Sequence, residues 1–194
     1  LIANGMTGET ETRRFSKEIH RNANRLLRLI NDILQLSEMD TLGTKLETEQ
    51  LNLFGMASTC VEMLKINAEP QGVELFVHGE MAWIEGNRSM IEELLYNLCS
   101  NAIRYNKQNG RVDVSVKETE KGVCLTVKDT GIGIPKEHQE HIFERFYRVD
   151  KSHSKETGGT GLGLSIVKHA VQYHSGKMTV NSEIGKGTTI KVTF

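Results

Sequence analysis

The hydrophobic rhythm changes once along this chain, near residue 45, and that change limits the fold more than any other feature. From Glu9 to Met39 there is no proline or glycine, and Phe15, Ile19, Asn22, Leu26, Leu29, Ile33 and Leu36 recur at alternating spacings of four and three. This is the a/d seam of a heptad helix with one polar member. Ala23, Leu27, Ile30 and Leu34 run beside it, so the apolar face is wider than a two-stranded coil needs. Nothing later in the chain looks long enough to cover that face. The expected cover is a four-helix bundle with helices of another copy or of sequence beyond this chain, the alternative being the chain's own following domain. Thr41-Leu42-Gly43-Thr44 breaks the helix.

Beyond the break, helical and strand patterns mix. Gly55 to Glu69 predicts a helix stopped by Pro70, and Val73–Val77 a strand. Asn87 is placed to cap a helix running to about Tyr105. Val112, Val114 and Val116, then Val123, Leu125 and Val127, alternate with polar residues around Lys121-Gly122, predicting two antiparallel strands. Thr160–His174 predicts a helix, and Met178–Asn181 with Thr188–Phe194 a closing hairpin. A sheet with helices on one face is an α+β two-layer sandwich.

Composition sets the outer limits. With 194 residues, 38% of them hydrophobic and 25% charged, the chain fits one domain plus a helical appendage and is not disordered. Its 24 basic and 25 acidic residues argue against a broad grip on nucleic acid. No apolar run reaches the roughly 18 residues of a membrane helix, and no signal peptide is visible, so a soluble piece is expected. Cys60, Cys99 and Cys124 lack metal-type spacing and read as reduced core thiols.

Four clusters carry candidate chemistry. On the helix at 87–105, Glu93, Asn97, Asn101 and Arg104 form a stripe beside the core stripe. Paired asparagines can offer carbonyl oxygens to a nucleotide-bound Mg²⁺, or merely cap and bridge. In Asp129-Thr130-Gly131-Ile132-Gly133, Asp129 continues the inward register of Val123, Leu125 and Val127. A buried carboxylate needs donors, which a purine amine can supply, and the glycines would let backbone approach a flat ring; a plain strand-and-turn is the alternative. Gly158-Gly159-Thr160-Gly161-Leu162-Gly163 feeds a helix N-terminus, a setting suited to phosphates, yet it matches neither a Walker A loop nor a dinucleotide fingerprint. Lys151–Thr157 before it has the polarity of a mobile lid. In Gly185-Lys186-Gly187-Thr188 the Thr188 hydroxyl faces inward and needs a partner.

In this order Glu93-x3-Asn97-x3-Asn101, Asp129-x-Gly131-x-Gly133, Phe143–Arg148, Gly159-x-Gly161-Leu162-Gly163-Leu164 and Gly185-x-Gly187-Thr188 resemble the N, G1, F, G2 and G3 boxes of bacterial sensor histidine kinases. The resemblance covers about residues 46–194. Ile142–Lys151 and the G2 stretch look most like the phosphate-responsive and cell-wall-responsive sensor kinases of Gram-positive bacteria. The resemblance implies the Bergerat ATP-binding fold, with ATP and Mg²⁺ as cofactors. By it, Asp129 reads the adenine amine with help from Thr188 through water, and Asn97 holds Mg²⁺ with Asn101 near the phosphates. Arg104 and Tyr105 meet phosphates and the nucleotide edge, and Gly131 and Gly133 line the base. Gly159, Thr160, Gly161, Leu162 and Gly163 line the phosphate side, and Arg148 reaches the γ-phosphate. Glu93 is a further Mg²⁺ or water contact.

The family phosphorylates a histidine in a His-Glu/Asp-x-Arg/Lys-x-Pro-like motif on the first helix of a dimeric hairpin. None of the seven histidines fits. His20 is followed by Arg21-Asn22-Ala23-Asn24, and Arg25–Leu34 looks like the hairpin's second helix. The division expected is therefore 1–45 as that partial hairpin and 46–194 as the catalytic domain. Implied partners are the acceptor hairpin, a response-regulator receiver domain and a second copy, in a cytoplasmic part of a protein anchored in the bacterial membrane. A nucleotide-binding regulatory domain and an ATP-hydrolysing machine of the gyrase type remain as rivals. His138 and His141, three apart on an expected short helix, and His169 and His174, five apart on the last one, are expected at the surface or in packing, and Trp83 in packing. Phe143, Phe146 and Tyr147 are likewise expected to pack, or, for the two phenylalanines, to grip the acceptor hairpin.

Overall fold

This computed structural model describes residues 8–41, 47–149 and 160–194; in the first helix, side chains are described at 8–23, 26, 27 and 30. The elements are α1 (Glu9–Thr41), β1 (Glu49–Asn52), α2 (Leu53–Ala68), β2 (Glu74–Gly79), β3 (Trp83–Gly86), α3 (Arg88–Arg104), β4 (Arg111–Thr119), β5 (Gly122–Asp129), α4 (Gly163–Tyr173), β6 (Lys177–Glu183) and β7 (Gly187–Thr193). The break at residues 42–44 and the lid at 151–157 lie outside the described residues.

Helix α1 runs as its heptads predict, and Ile19, Leu26, Leu27 and Ile30 on its apolar face are exposed. Among the described residues no helix is long and apolar enough to cross a membrane.

Five strands form one sheet in the order β2-β4-β5-β7-β6, parallel between β2 and β4 and antiparallel elsewhere; β1 and β3 make a separate antiparallel pair. Alternation sends Val112, Val114, Val116, Val123, Leu125, Val127, Ile190 and Val192 to one buried face. Helices α2, α3 and α4 cover it with Leu53, Val61, Leu64, Ile91, Leu94, Leu95, Leu98, Val167 and Val171. Each such side chain contributes about 1.5–3 kcal/mol by leaving water. This is the two-layer sandwich the sequence predicts.

Local signals set the helix ends. Asn52 Oδ1 accepts from the Gly55 amide at 3.1 Å, so α2 begins two residues before the expected Gly55. Asn87 caps α3 by accepting from Met90 N at 3.1 Å. His174, at the end of α4, holds that cap from behind. Its Nε2 accepts from Asn87 N at 3.0 Å, which leaves Nδ1–H to donate to Ala170 O at 2.7 Å.

Four expectations need correction. Helix α4 begins at Gly163 rather than Thr160, because Gly161 takes φ 78° and breaks helical geometry before it. Trp83 is 57% exposed, since β3 alternates Ile84 and Gly86 inward and Trp83 outward. Cys60 and Cys99 are buried, but Cys124 is only half-buried, on the face of β5 opposite Val123 and Leu125. His138 ends a short 3-10 turn at Lys136–His138, so His141 is not on the same helix.

Candidate functional site

Asp129 ends β5 at the margin of the core, half-buried. Its Oδ1 accepts from Gly131 N at 2.8 Å and from Thr188 N at 3.1 Å. Its Oδ2 has no hydrogen bond among the described residues. Burial pushes the carboxyl above the ordinary carboxylate range, and the two amides pull part of that rise back. One oxygen is thus fixed by the protein while the other is open and able to accept.

Sequence reasoning missed Ser182. It pairs with Thr188 across β6 and β7, and the two hydroxyls lie 2.8 Å apart. Ser182 Oγ also accepts from Ile134 N at 2.8 Å and donates to Gly187 O at 3.0 Å. Gln139, also missed, donates its Nε2 to Ile134 O at 2.9 Å and to Ser182 O at 2.8 Å. The loop after Asp129 is therefore tied to the closing hairpin by side chains of both segments. A signal for Ser182 was present: it ends the inward row Met178, Val180, Ser182. Gln139 lies in irregular chain and carried none.

The glycines of this loop meet the chain's own backbone. A Cβ on Gly131 would lie 2.2 Å from Tyr105 O, and one on Gly133, at φ 72°, 2.1 Å from Glu183 O. The close approach expected toward a ring is used here to pack the loop between α3 and the hairpin. Ile132 N donates to Tyr105 O at 3.1 Å, which fixes the loop to the end of α3, where Tyr105 is the C-cap.

Asn97, Asn101 and Arg104 lie half-buried along α3. Asn97 Nδ2 donates to Glu93 O at 3.0 Å, so its Oδ1 is the face left to offer. That oxygen abuts the head of α4: a Cβ on Gly163 would lie 2.6 Å from it and 3.8 Å from Asn101 Nδ2. Neither Asn101 nor Arg104 has a side-chain hydrogen bond or ion pair with another described residue. No side chain caps α4, whose N-cap is Leu162, so its first amides keep their donors. Leu162 itself is fully buried against Ile166, and only its backbone can meet a ligand. Thr160 Oγ1 accepts from Leu162 N at 3.3 Å, while Gly159 lies outside the described residues.

Phe146 joins the next segment to this end. Its amide donates to Gly161 O at 2.9 Å, and its own φ is 63°, strained for a bulky residue. The ring is 57% exposed. Phe143, Tyr147 and Arg148 are half-buried. Tyr147 OH lies 2.6 Å from His138 Nδ1, and His141 Nδ1 lies 2.7 Å from Glu144 Oε1. Glu93 and Arg148 each have interaction partners in the fold.

The structure thus gathers Asp129, Gly131, Gly133 and Thr188 at one end of α3, and Asn97, Asn101 and Gly163 farther along it, beside α4. The profile of the family described as "Histidine kinase-, DNA gyrase B-, and HSP90-like ATPase" matches residues 86–194. Among curated proteins, the sensor histidine kinase WalK of Bacillus subtilis is 38% identical over 185 residues, covering 93% of this chain and 30% of that protein. The sensor histidine kinase RppB of Synechocystis sp. is 40% identical over 178 residues, covering 90% and 39%. Among solved structures, the mycobacterial sensor histidine kinase MprB aligns with a TM-score of 0.66 at 26% identity, over 75% of this chain and 95% of that one. The chain spans well under half the length of these two curated relatives. On this match, and on the sandwich that carries it, the chain belongs to the family of histidine kinase-, DNA gyrase B- and HSP90-like ATPases.

Proposed function

We propose that residues 46–194 are the ATP-binding catalytic domain of a sensor histidine kinase and that residues 1–45 are the second helix of its dimerisation hairpin. The observation that carries the nucleotide reading is Asp129, with one oxygen held by two amides and the other open beside Thr188. An ionised carboxylate only accepts, so it selects a base that donates, as the adenine amine does. Tyr105, Gly131 and Gly133 would border the base. Support for the kinase reading comes from the order of the sequence boxes and from the named relatives.

Toward the phosphates, Asn97 offers a neutral carbonyl oxygen whose amide nitrogen is already committed to Glu93 O. Such an oxygen suits Mg²⁺, which prefers few protein ligands plus phosphates and water. Asn97 would hold the ion, with Glu93 its second contact, and the ion supplies charge neutralisation on the phosphates. Asn101 and Arg104, unpaired among the described residues, would orient phosphate oxygens. The backbone of Gly159, Thr160, Gly161 and Gly163 and the uncapped start of α4 would supply further donors, beside Leu162, whose amide Thr160 Oγ1 already holds. Arg148 would stabilise charge on the γ-phosphoryl as it leaves for a histidine.

The acceptor is none of this chain's own histidines. It belongs to a first hairpin helix, from which an aspartate of a response-regulator receiver domain takes the phosphoryl group. The exposed apolar face of α1 favours pairing with a second copy, in a protein anchored in the membrane with this part in the cytoplasm. The test mixes the purified chain with a separately produced acceptor hairpin and labelled Mg-ATP. Acid-labile label on a hairpin histidine is expected. ATP binding without any label would overturn the kinase reading and favour a regulatory nucleotide-binding domain.

A further inference from the structure

Ser182 is a hydroxyl with one proton and three neighbours. Its bond to Gly187 O at 3.0 Å must use that proton, because a carbonyl oxygen can only accept. Ile134 N at 2.8 Å can only donate, and it takes one of the lone pairs. The remaining contact, 2.8 Å to Thr188 Oγ1, can then form only if Thr188 donates its proton to Ser182. Asp129 stands next to this pair through the Thr188 amide, with its Oδ2 open.

We propose that Ser182 is a positioning residue for base recognition: by taking the Thr188 hydroxyl proton it leaves this end of the site with acceptors only. The inference rests on the ATP reading of that site and adds a direction to it. A carboxylate and a hydroxyl whose proton is spent together favour a base bearing an amino group and reject one bearing a carbonyl at the same place. Ser182 touches no ligand in this account. Its effect passes through the orientation of Thr188, while Gln139 holds the Ser182 backbone by donating to its carbonyl at 2.8 Å.

The probes are a non-hydrolysable ATP analogue and the matching inosine analogue, in which a carbonyl replaces the amine. Both are titrated into the wild-type chain, Ser182→Ala, Thr188→Val and the double variant, with thermal melts run alongside. Removing Ser182 frees the Thr188 proton to donate to the inosine carbonyl. The ratio of affinities for the two analogues should therefore narrow by about tenfold, the scale of one hydrogen bond. In the Thr188→Val background the Ser182 substitution should leave the ratio unchanged, because the proton it steers is gone. Equal weakening of both analogues by Ser182→Ala, or the same narrowing in the Thr188→Val background, would overturn the proposal and leave Ser182 a purely structural tie. No binding of either analogue by the folded wild-type chain would instead sink the ATP reading on which it rests.

Discussion

Asp129 and Thr188 lie 59 residues apart in sequence, and the Thr188 amide donates to Asp129 Oδ1 over 3.1 Å. That bond joins the end of β5 to the start of β7 and aims the carboxylate. It also keeps a charge where burial disfavours it.

The first prediction concerns that charge. Burial raises the Asp129 carboxyl above its ordinary value of 3.8. An acid raised in the folded state lends stability that is fully present below the unfolded value and is lost as pH rises through the folded one. At neutral pH the ionised group therefore costs stability. Asp129→Asn, which can still accept from Gly131 N and Thr188 N, should raise Tm at about pH 7. The gain should vanish as pH falls toward the unfolded value. Thermal melts across that range check this, and a lower Tm for the variant at neutral pH would contradict it.

A second prediction separates stability from binding at Gly163. Alanine favours helix over glycine by up to about 1 kcal/mol, so stability alone argues for tolerance. Its Cβ, however, would lie 2.6 Å from Asn97 Oδ1 and force that side chain aside. Gly163→Ala should keep its fold and Tm within a few degrees while losing about tenfold in affinity for the ATP analogue with Mg²⁺. Titrations with and without Mg²⁺ should show the loss concentrated in the Mg²⁺-dependent part.

The third concerns the rear support of α3. His174→Ala strips the acceptor from Asn87 N and leaves that amide unpaired at the helix cap. A loss of about 1–3 kcal/mol in unfolding free energy is expected from denaturant curves. Gly86→Ala should act in the same direction, since its Cβ would lie 2.7 Å from His174 Nε2. A wild-type midpoint in both variants would show that the imidazole carries no load there.

The fourth concerns Phe146. Its φ of 63° disfavours any residue with a Cβ. Phe146→Gly should therefore be more stable than Phe146→Ala by about 1 kcal/mol, the reverse of the usual helix or strand ranking. Both should lower transfer to an added acceptor hairpin, because the exposed ring is gone. Unchanged transfer would assign the ring no part in docking.

Much of this fold could be read from periodicity. The valine alternation on β4 and β5, the Asn87 cap and the stop before Pro70 each rest on local chemistry, and each stands in the structure. At the site, the readable signal was a polar residue at the end of an inward-facing row. Asp129 ends the row of Val123, Leu125 and Val127, and Thr188 begins that of Ile190 and Val192. Ser182 obeys the same rule after Met178 and Val180, and was missed because the strand was expected to end at Asn181. What the sequence hid was non-local. Nothing near Trp83 says that its strand pairs only with β1, and nothing near Gly131 says that Tyr105 O will fill the space a side chain would need. The start of α4 was misplaced because nothing local tells which glycine of this loop takes a positive φ; Gly161 does, at 78°, and its carbonyl accepts from the distant Phe146 amide.

The most direct test is a calorimetric titration of the chain with a non-hydrolysable ATP analogue and Mg²⁺, run beside Asp129→Asn. The account predicts saturable one-site binding to the wild type and its loss in the variant, where an amide NH₂ would replace the open oxygen and face the adenine amine donor to donor. Wild-type affinity in a folded Asp129→Asn chain would contradict it.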